Sequence, residues 1–311
     1  MNYTVSEINS ELKASPGQFI DIAEKAYHKR IADLATTIKS DSNNKIIMLA
    51  GPSGSGKTTT AHILCYYLEE LNIKTHVISL DNFYQPINKM PLDEKGNPDF
   101  ESVHSLDIKE IHRSFEDLIN TGACSIPRFD FKVAKRSEKR IQIELEDNGL
   151  AIVEGIHALN PLLFENLPRE KLFKLYISIT STLNEDGQQL LTGRQMRLIR
   201  RIVRDSVYRN SSAENTLKMW PNVLLGEEKY LYQFKKTADY KFDTFHGYEP
   251  AVLKDRILEL LEKVPTDSEH CSYVKDINYG LKDVVSISQD FVPINSLIRE
   301  FISGGMFEEN Y

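Results

Sequence analysis

The chain has 311 residues, enough to bury one large α/β core, and its 45 acidic against 38 basic side chains give a formal net charge of -7, which argues against nucleic acid or an acidic membrane as partner. Three cysteines, Cys65, Cys124 and Cys271, are odd in number and lack metal-ligand spacing, so neither a disulfide framework nor a zinc site is expected. No apolar run approaches membrane-spanning length and the first residues carry no basic-then-apolar signal pattern, so cytoplasmic residence is the expectation.

Residues 16 to 40 place Ile20, Ala23, Tyr27, Ile31, Leu34 and Ile38 at three-and-four spacing. This predicts an amphipathic helix that covers a sheet edge. Ile46 to Ala50 is a continuous apolar run, read as a buried strand, and it leads into Gly51, Gly54, Gly56, Lys57 and Thr58, which fit G-x-x-x-x-G-K-[ST]. Glycines let the backbone curl so that successive N–H groups point inward, and the positive end of the following helix adds to an anion-binding nest. Gly51, Ser53, Gly54, Ser55, Gly56, Lys57, Thr58 and Thr59 are therefore expected to hold the phosphates of ATP, with Lys57 on the outer phosphates and Thr58 on Mg²⁺.

Lys74 to Leu80 reads as the second strand and ends on Asp81. Ligands of open α/β sheets sit outside the carboxyl ends of strands, so Asp81 is expected near the triphosphate. Gln85 to Pro98, with three prolines and one glycine, reads as a surface excursion that is a candidate lid or substrate loop. Ile108 to Ile119 has helical spacing, and Ile126 to Arg140 reads as another loop. Leu150 to Val153 is a short strand ending on Glu154, either a carboxylate beside the magnesium ion or a merely solvated strand end. Lys174 to Ile179 is a further strand.

The most cationic stretch runs from Arg194 to Arg209. At helical spacing Arg197, Arg201 and Arg204 share one face, and Leu198 and Ile202 another. Such a helix anchors by one side and offers guanidinium groups on the other, as a lid over transferring phosphate, a nucleic-acid contact or a solvated face. The acidic balance and the phosphate loop favour the lid. Ala238 to Phe242 reads as the last strand, Glu249 to Lys263 as a closing helix, Pro265 to Ser268 as a linker and Ile294 to Ile302 as a helix in the tail.

The expected architecture is a three-layer α/β phosphate-loop fold, a mostly parallel sheet with helices on both faces and an arginine-rich lid. Residues 1–44 are expected to form an N-terminal helical segment packed on a kinase domain at 45–264, followed by a tail at 265–311. Phosphoryl transfer needs a cradle, a metal, cationic clamps and a group that orients the acceptor hydroxyl. Lys57 and the loop amides would form the cradle, Thr58 with Glu154 and Asp81 the metal site, Arg204 with Arg209 the clamp, and Asp81 the base.

SLDNFY at Ser79 to Tyr84, FESVHSLD at Phe100 to Asp107, IPRFDF at Ile126 to Phe131, VEG at Val153 to Gly155 and RRIVRD at Arg200 to Asp205 resemble the uridine kinase and phosphoribulokinase family over residues 45 to 265. KRIADLA, VEGIHALNP, TLKMWPNVLLGEEKY and PINSLIREFISGG are similar to a bacterial uridine kinase-like branch. There the kinase domain usually follows a region similar to part of threonyl-tRNA synthetase, whereas only 44 residues precede Lys45 here.

The resemblance implies that Asp81 is the acceptor-hydroxyl base, that Tyr84 and Phe129 line a nucleoside pocket, and that Arg201, Arg204 and Arg209 serve substrate and phosphates. It implies ATP and Mg²⁺, a small-molecule phosphate acceptor, and a family in which oligomers are common. Glu101 stands where the family commonly has an Asp for the ribose hydroxyls. Ala134, Phe129 and Met219 stand where pyrimidine nucleoside kinases have a His, a Tyr and a Gln at the base, and Ser211 replaces an Arg of the lid pattern. Uridine or cytidine is the leading acceptor. Another nucleoside, a sugar phosphate, or a regulatory module without transfer activity are the alternatives.

Overall fold

The computed structural model describes residues 2–93, 96–130, 133 and 135–307. A short strand β1 (Asn2–Thr4) leads into helix α1 (Val5–Ala14), whose start is fixed by a capping box between Thr4 and Glu7. Helix α2 (Pro16–Lys39) begins on a proline, pre-set for the first helical turn, and buries Ile20, Tyr27, Ile31, Leu34 and Ile38. The three-and-four spacing read from the sequence is thus the buried stripe.

Strand β2 (Ile46–Ala50) is buried at every residue and feeds helix α3 (Lys57–Glu70) through the glycine-rich loop. After β3 (Thr75–Ser79) come α4 (Ile108–Thr121), the antiparallel pair β4 (Ala123–Ile126) and β7 (Ile141–Glu144), and between them the two-residue strands β5 (Phe129–Asp130) and β6 (Lys135–Arg136). Strands β8 (Leu150–Glu154) and β9 (Leu172–Ser178) follow. A hairpin of β10 (Thr182–Glu185) and β11 (Gln188–Leu191) then precedes helices α5 (Gly193–Tyr208) and α6 (Ala213–Tyr230). The chain closes with β12 (Tyr240–Asp243), α7 (Glu249–Leu261), α8 (Cys271–Leu281) and α9 (Arg299–Ile302).

The main sheet has the order β12-β9-β2-β8-β3, and every neighbouring pair is parallel. Side chains alternate along each strand, so Ile47, Leu49, Ile152, Leu175 and Ile177 enter one core while Ile46, Met48, Ala151, Val153 and Tyr176 enter the other. The first core takes in α1, α2, α3, α5, α7 and the C-terminal segment, and the second takes in α4. Burial on both faces is why these strands read as unbroken apolar runs.

Several elements go beyond the sequence reading. Asp186 and Gly187, both at positive φ, close the β10–β11 hairpin. An Asp-Gly pair is the residue choice that a two-residue hairpin turn requires, so this element had a legible signal. Helix α6 runs through Pro221, an interior position that sequence rules disfavour; its face of Thr216, Leu217, Trp220 and Val223 is buried, and packing outweighs the local cost. The linker after Pro265 gives way to α8, which buries Ile277 and Leu281. The tail helix shortens to α9, because turns at Pro293–Ser296 and Ser296–Arg299 occupy its expected first half. Among the described residues no helix is long and apolar enough to cross a membrane.

Candidate active site

The phosphate loop is held in a shape that depends on glycine at Gly51, Gly54 and Gly56. Gly54 has φ +73°, and a Cβ there would lie 2.7 Å from the Arg197 carbonyl oxygen; at Gly51 it would lie 2.6 Å from that of Ile177. Gly56 caps α3 at φ +81° without a side-chain hydrogen bond, so the first-turn amides of α3 are not taken up by an N-cap side chain. Lys57 lies over the loop, its Nζ donating to the Pro52 carbonyl at 3.4 Å, and the hydroxyl of Ser55 is buried with no protein partner. Thr58 is half-buried beside Lys57 and Thr59 is buried one residue further along α3.

Sheet register brings the carboxylates to the same rim. Glu154 pairs with Leu49 of β2 on one side and Ser79 of β3 on the other, which sets it level with the start of the loop. It is buried. Two residues beyond Ser79, Asp81 stands exposed in a short 3₁₀ turn, its N–H donating to Ser79 Oγ at 3.4 Å. Among the described residues no three His, Cys, Asp or Glu side chains form a metal cage. A Mg²⁺ ion held by the Thr58 hydroxyl, one or two carboxylates and nucleotide phosphates needs none, so this oxygen donor set fits that ion.

Of the residues expected to meet the acceptor, Tyr84 and Phe129 are buried with ring centroids 5.6 Å apart, and the Tyr84 hydroxyl donates to the Phe100 carbonyl at 2.8 Å. Glu101 lies between these rings and α6, where a Cβ on Gly226 would come within 2.9 Å of its side chain. Burial pushes the Glu101 carboxyl up to about 7; nearby Arg201 opposes the rise, whereas Glu227, Asp81 and Asp99 add to it. His157 is buried edge-on to the Tyr230 ring, and burial drives its pKa down to about 4, which leaves it neutral at pH 7. Met219 is exposed on α6, its sulfur 3.8 Å from Asn215 Nδ2, and that amide also donates to Ser211 Oγ at 2.9 Å. Ala134 lies outside the described residues.

The arginine helix differs most from expectation. Rather than offering a guanidinium face outward, α5 is buried on both sides, with Arg197, Arg200, Arg201 and Arg204 only 2%, 0%, 7% and 9% exposed. The cause is the docking of α6, α7 and the phosphate loop around it. Arg197 donates to the Ser53 carbonyl at 2.8 Å and forms a two-pronged pair with Glu227 at 2.7 and 2.9 Å. Arg200 donates to the Gly54 carbonyl at 3.3 Å and pairs with buried Glu249, and Arg201 donates to Ser53 Oγ at 2.7 Å. Asp205 gathers Arg201, Arg204 and Arg209 at 3.4, 3.0 and 3.5 Å. Of the three, Arg209 is the exposed one.

One residue that the sequence left without a role, Glu227, stands against the loop. Glu227 accepts the Ser53 N–H at 2.9 Å while its partner Arg197 donates to the Ser53 carbonyl, so one ion pair holds the two peptide groups that flank Ser53. No local spacing could signal this, since Ser53 and Glu227 are 174 residues apart.

A family model described as "Phosphoribulokinase / Uridine kinase family" matches residues 46–247. The chain is similar to the uridine kinase of Mycoplasma genitalium, 28% identical over 200 residues, which are 64% of this chain and 84% of that protein. It is similar at 28% over 198 residues to the uridine kinase of Staphylococcus haemolyticus, covering 63% and 86%. Among solved structures, a possible uridine kinase from Bacillus stearothermophilus is 21% identical with a TM-score of 0.46, covering 69% of this chain and 98% of that one.

Proposed function

The chain belongs to the phosphoribulokinase / uridine kinase family, and from that premise of a small-molecule kinase with a nucleotide donor we propose that it transfers the γ-phosphoryl group of ATP to the 5′-hydroxyl of a nucleoside, uridine or cytidine. The observation that carries the reading is the common rim: the phosphate loop, Glu154 and Asp81 meet at the carboxyl ends of β2, β8 and β3, with the paired rings of Tyr84 and Phe129 and the carboxyl of Glu101 as candidate acceptor contacts. The kinase unit is assigned to residues 45–264, with helices α1 and α2 packed against it and a C-terminal tail that carries the short helix α9.

The loop amides and Lys57 hold the donor phosphates, and Thr58 with Glu154 would hold a Mg²⁺ ion, which would supply positive charge to offset that of the phosphates. Asp81 is exposed and so free of the burial that constrains Glu101; it accepts the proton of the attacking hydroxyl, chiefly aligning it while the loose transition state develops. Glu101 accepts hydrogen bonds from the sugar hydroxyls. Arg201, at Ser53 and near Glu101, bridges the donor and acceptor sides, and Arg204 with Arg209 completes the cationic surround through Asp205.

The test is ADP release from Mg-ATP with a panel of nucleosides plus ribulose 5-phosphate and pantothenate. Stimulation by uridine or cytidine is the expected result. Stimulation by another acceptor alone would replace the substrate, and no stimulation while ATP still binds would favour a regulatory module.

A further inference from the structure

The C-terminal segment is built into the donor end of the site. Leu297 packs so closely on Gly56 that a Cβ there would lie 2.6 Å from its Cδ1. Glu300 accepts the Thr59 hydroxyl at 2.7 Å, and Phe301 is buried with the Arg200 guanidinium 5.0 Å from its ring, the same arginine that holds the Gly54 carbonyl. Further out, Phe307 stacks nearly parallel on His62 of α3, with centroids 6.0 Å apart and an interplanar angle of 7°. Arg299 fastens the segment onto itself, donating to the carbonyls of Gln289 at 3.2 Å and Ser303 at 3.1 Å. Thr59, Tyr208, Arg299, Glu300 and Phe307 border a recess at this point with room for about one water.

The position of the recess gives it a meaning. Phosphates seated on the loop amides and on the first residues of α3 direct the sugar and base of a nucleotide outward past Thr59. There the chain offers a carboxylate for sugar hydroxyls and aromatic surface for a base, both supplied wholly or partly by residues 296–307. We propose that this segment is the sugar-and-base wall of the donor site, with Glu300 as hydrogen-bond acceptor for a ribose hydroxyl and the Phe307–His62 pair as the stacking face. Glu300 suits a hydroxyl because an ionised acceptor makes a stronger bond than a neutral one, while its charge would repel a phosphate. It stands past the loop, at the sugar end. The inference rests on the reading of ATP as donor and is independent of which acceptor is used.

The test compares two ligands by calorimetry on the full chain, ATP and inorganic tripolyphosphate, each with Mg²⁺. Tripolyphosphate engages the loop but has no sugar or base. Glu300→Ala is expected to weaken ATP about 10-fold, as loss of a charged hydrogen bond does, and Phe307→Ala about 5-fold through lost stacking, while tripolyphosphate changes less than about 2-fold in either variant. Three results would overturn the proposal. Equal weakening of both ligands would make the segment a prop for the loop, tightening of both would make it a plug over the site, and unchanged ATP affinity would remove it from the site. An unaltered chain that binds tripolyphosphate but not ATP would instead defeat the donor reading itself.

Discussion

Replacing Glu101 by Gln tests the acceptor side through a stability that depends on pH. In the folded chain burial holds this carboxyl at about 7 against an ordinary 4.5. Below pH 4.5 it is protonated in both folded and unfolded chains and contributes no difference. Between 4.5 and about 7 the unfolded chain releases the proton that the folded chain retains, so stability is lost as pH rises and the loss is complete above 7. At about 1.4 kcal/mol for each pH unit between the two values, the loss is about 3 kcal/mol. The residue is only partly buried, which makes this figure an upper bound. Glutamine never ionises, so Glu101→Gln gains up to that amount on the wild type across this interval.

The assay is urea unfolding of both proteins at several pH values, read as the difference between them. The difference is needed because His157, depressed to about 4, acts in the opposite sense: its stabilisation is complete above 6.5 and is lost as pH falls through 4. Buried Glu24 and Glu249, both raised by burial, are common to the two proteins and cancel. A difference that stays within about 0.5 kcal/mol across the range would refute the burial argument, since surface substitutions alone have effects of that size. On the proposed role of Glu101 at the sugar hydroxyls, KM for the acceptor is expected to fall as pH rises through about 7 in the wild type and to stay flat in the variant.

Asp81→Asn is expected to lower kcat at least about 100-fold with ATP affinity unchanged, and near-normal turnover would remove Asp81 from the hydroxyl. Gly54→Ala meets the Arg197 carbonyl at 2.7 Å from a backbone at φ +73°, so calorimetry is expected to show ATP binding lost or much weakened. Arg200→Ala leaves Glu249 buried without its cation, which costs about 3 to 5 kcal/mol, and a thermal melt within about 2 °C of wild type would contradict that pairing.

Much of the site is local in sequence and therefore legible. The phosphate loop is a contiguous stretch whose glycines answer to backbone geometry, and Glu154 is legible because it ends an apolar strand, Asp81 because it follows one. Helix α5 was legible as a helix, but its environment was not. Its polar face of arginines reads like a solvated surface, and only the carboxylates of α6 and α7 and the loop carbonyls that meet those arginines show that it is interior. Charged side chains are so seldom buried unpaired that burial can be argued only when the partners are known. Those partners lie 30 and 49 residues away for Arg197 and Arg200.

By itself, then, the sequence determined the parallel α/β core, the phosphate loop and the rim carboxylates, because these depend on apolar runs, glycine backbone freedom and strand ends. Tertiary structure alone decided that Glu227 and Arg197 hold the two peptide groups that flank Ser53, that Glu101 is crowded enough to hold its proton to about 7, and that Glu300 reaches Thr59 across 241 residues. The physical reason is that hydrogen bonds and desolvation act over ångströms in space, whereas sequence spacing reports only neighbours along one helix or strand.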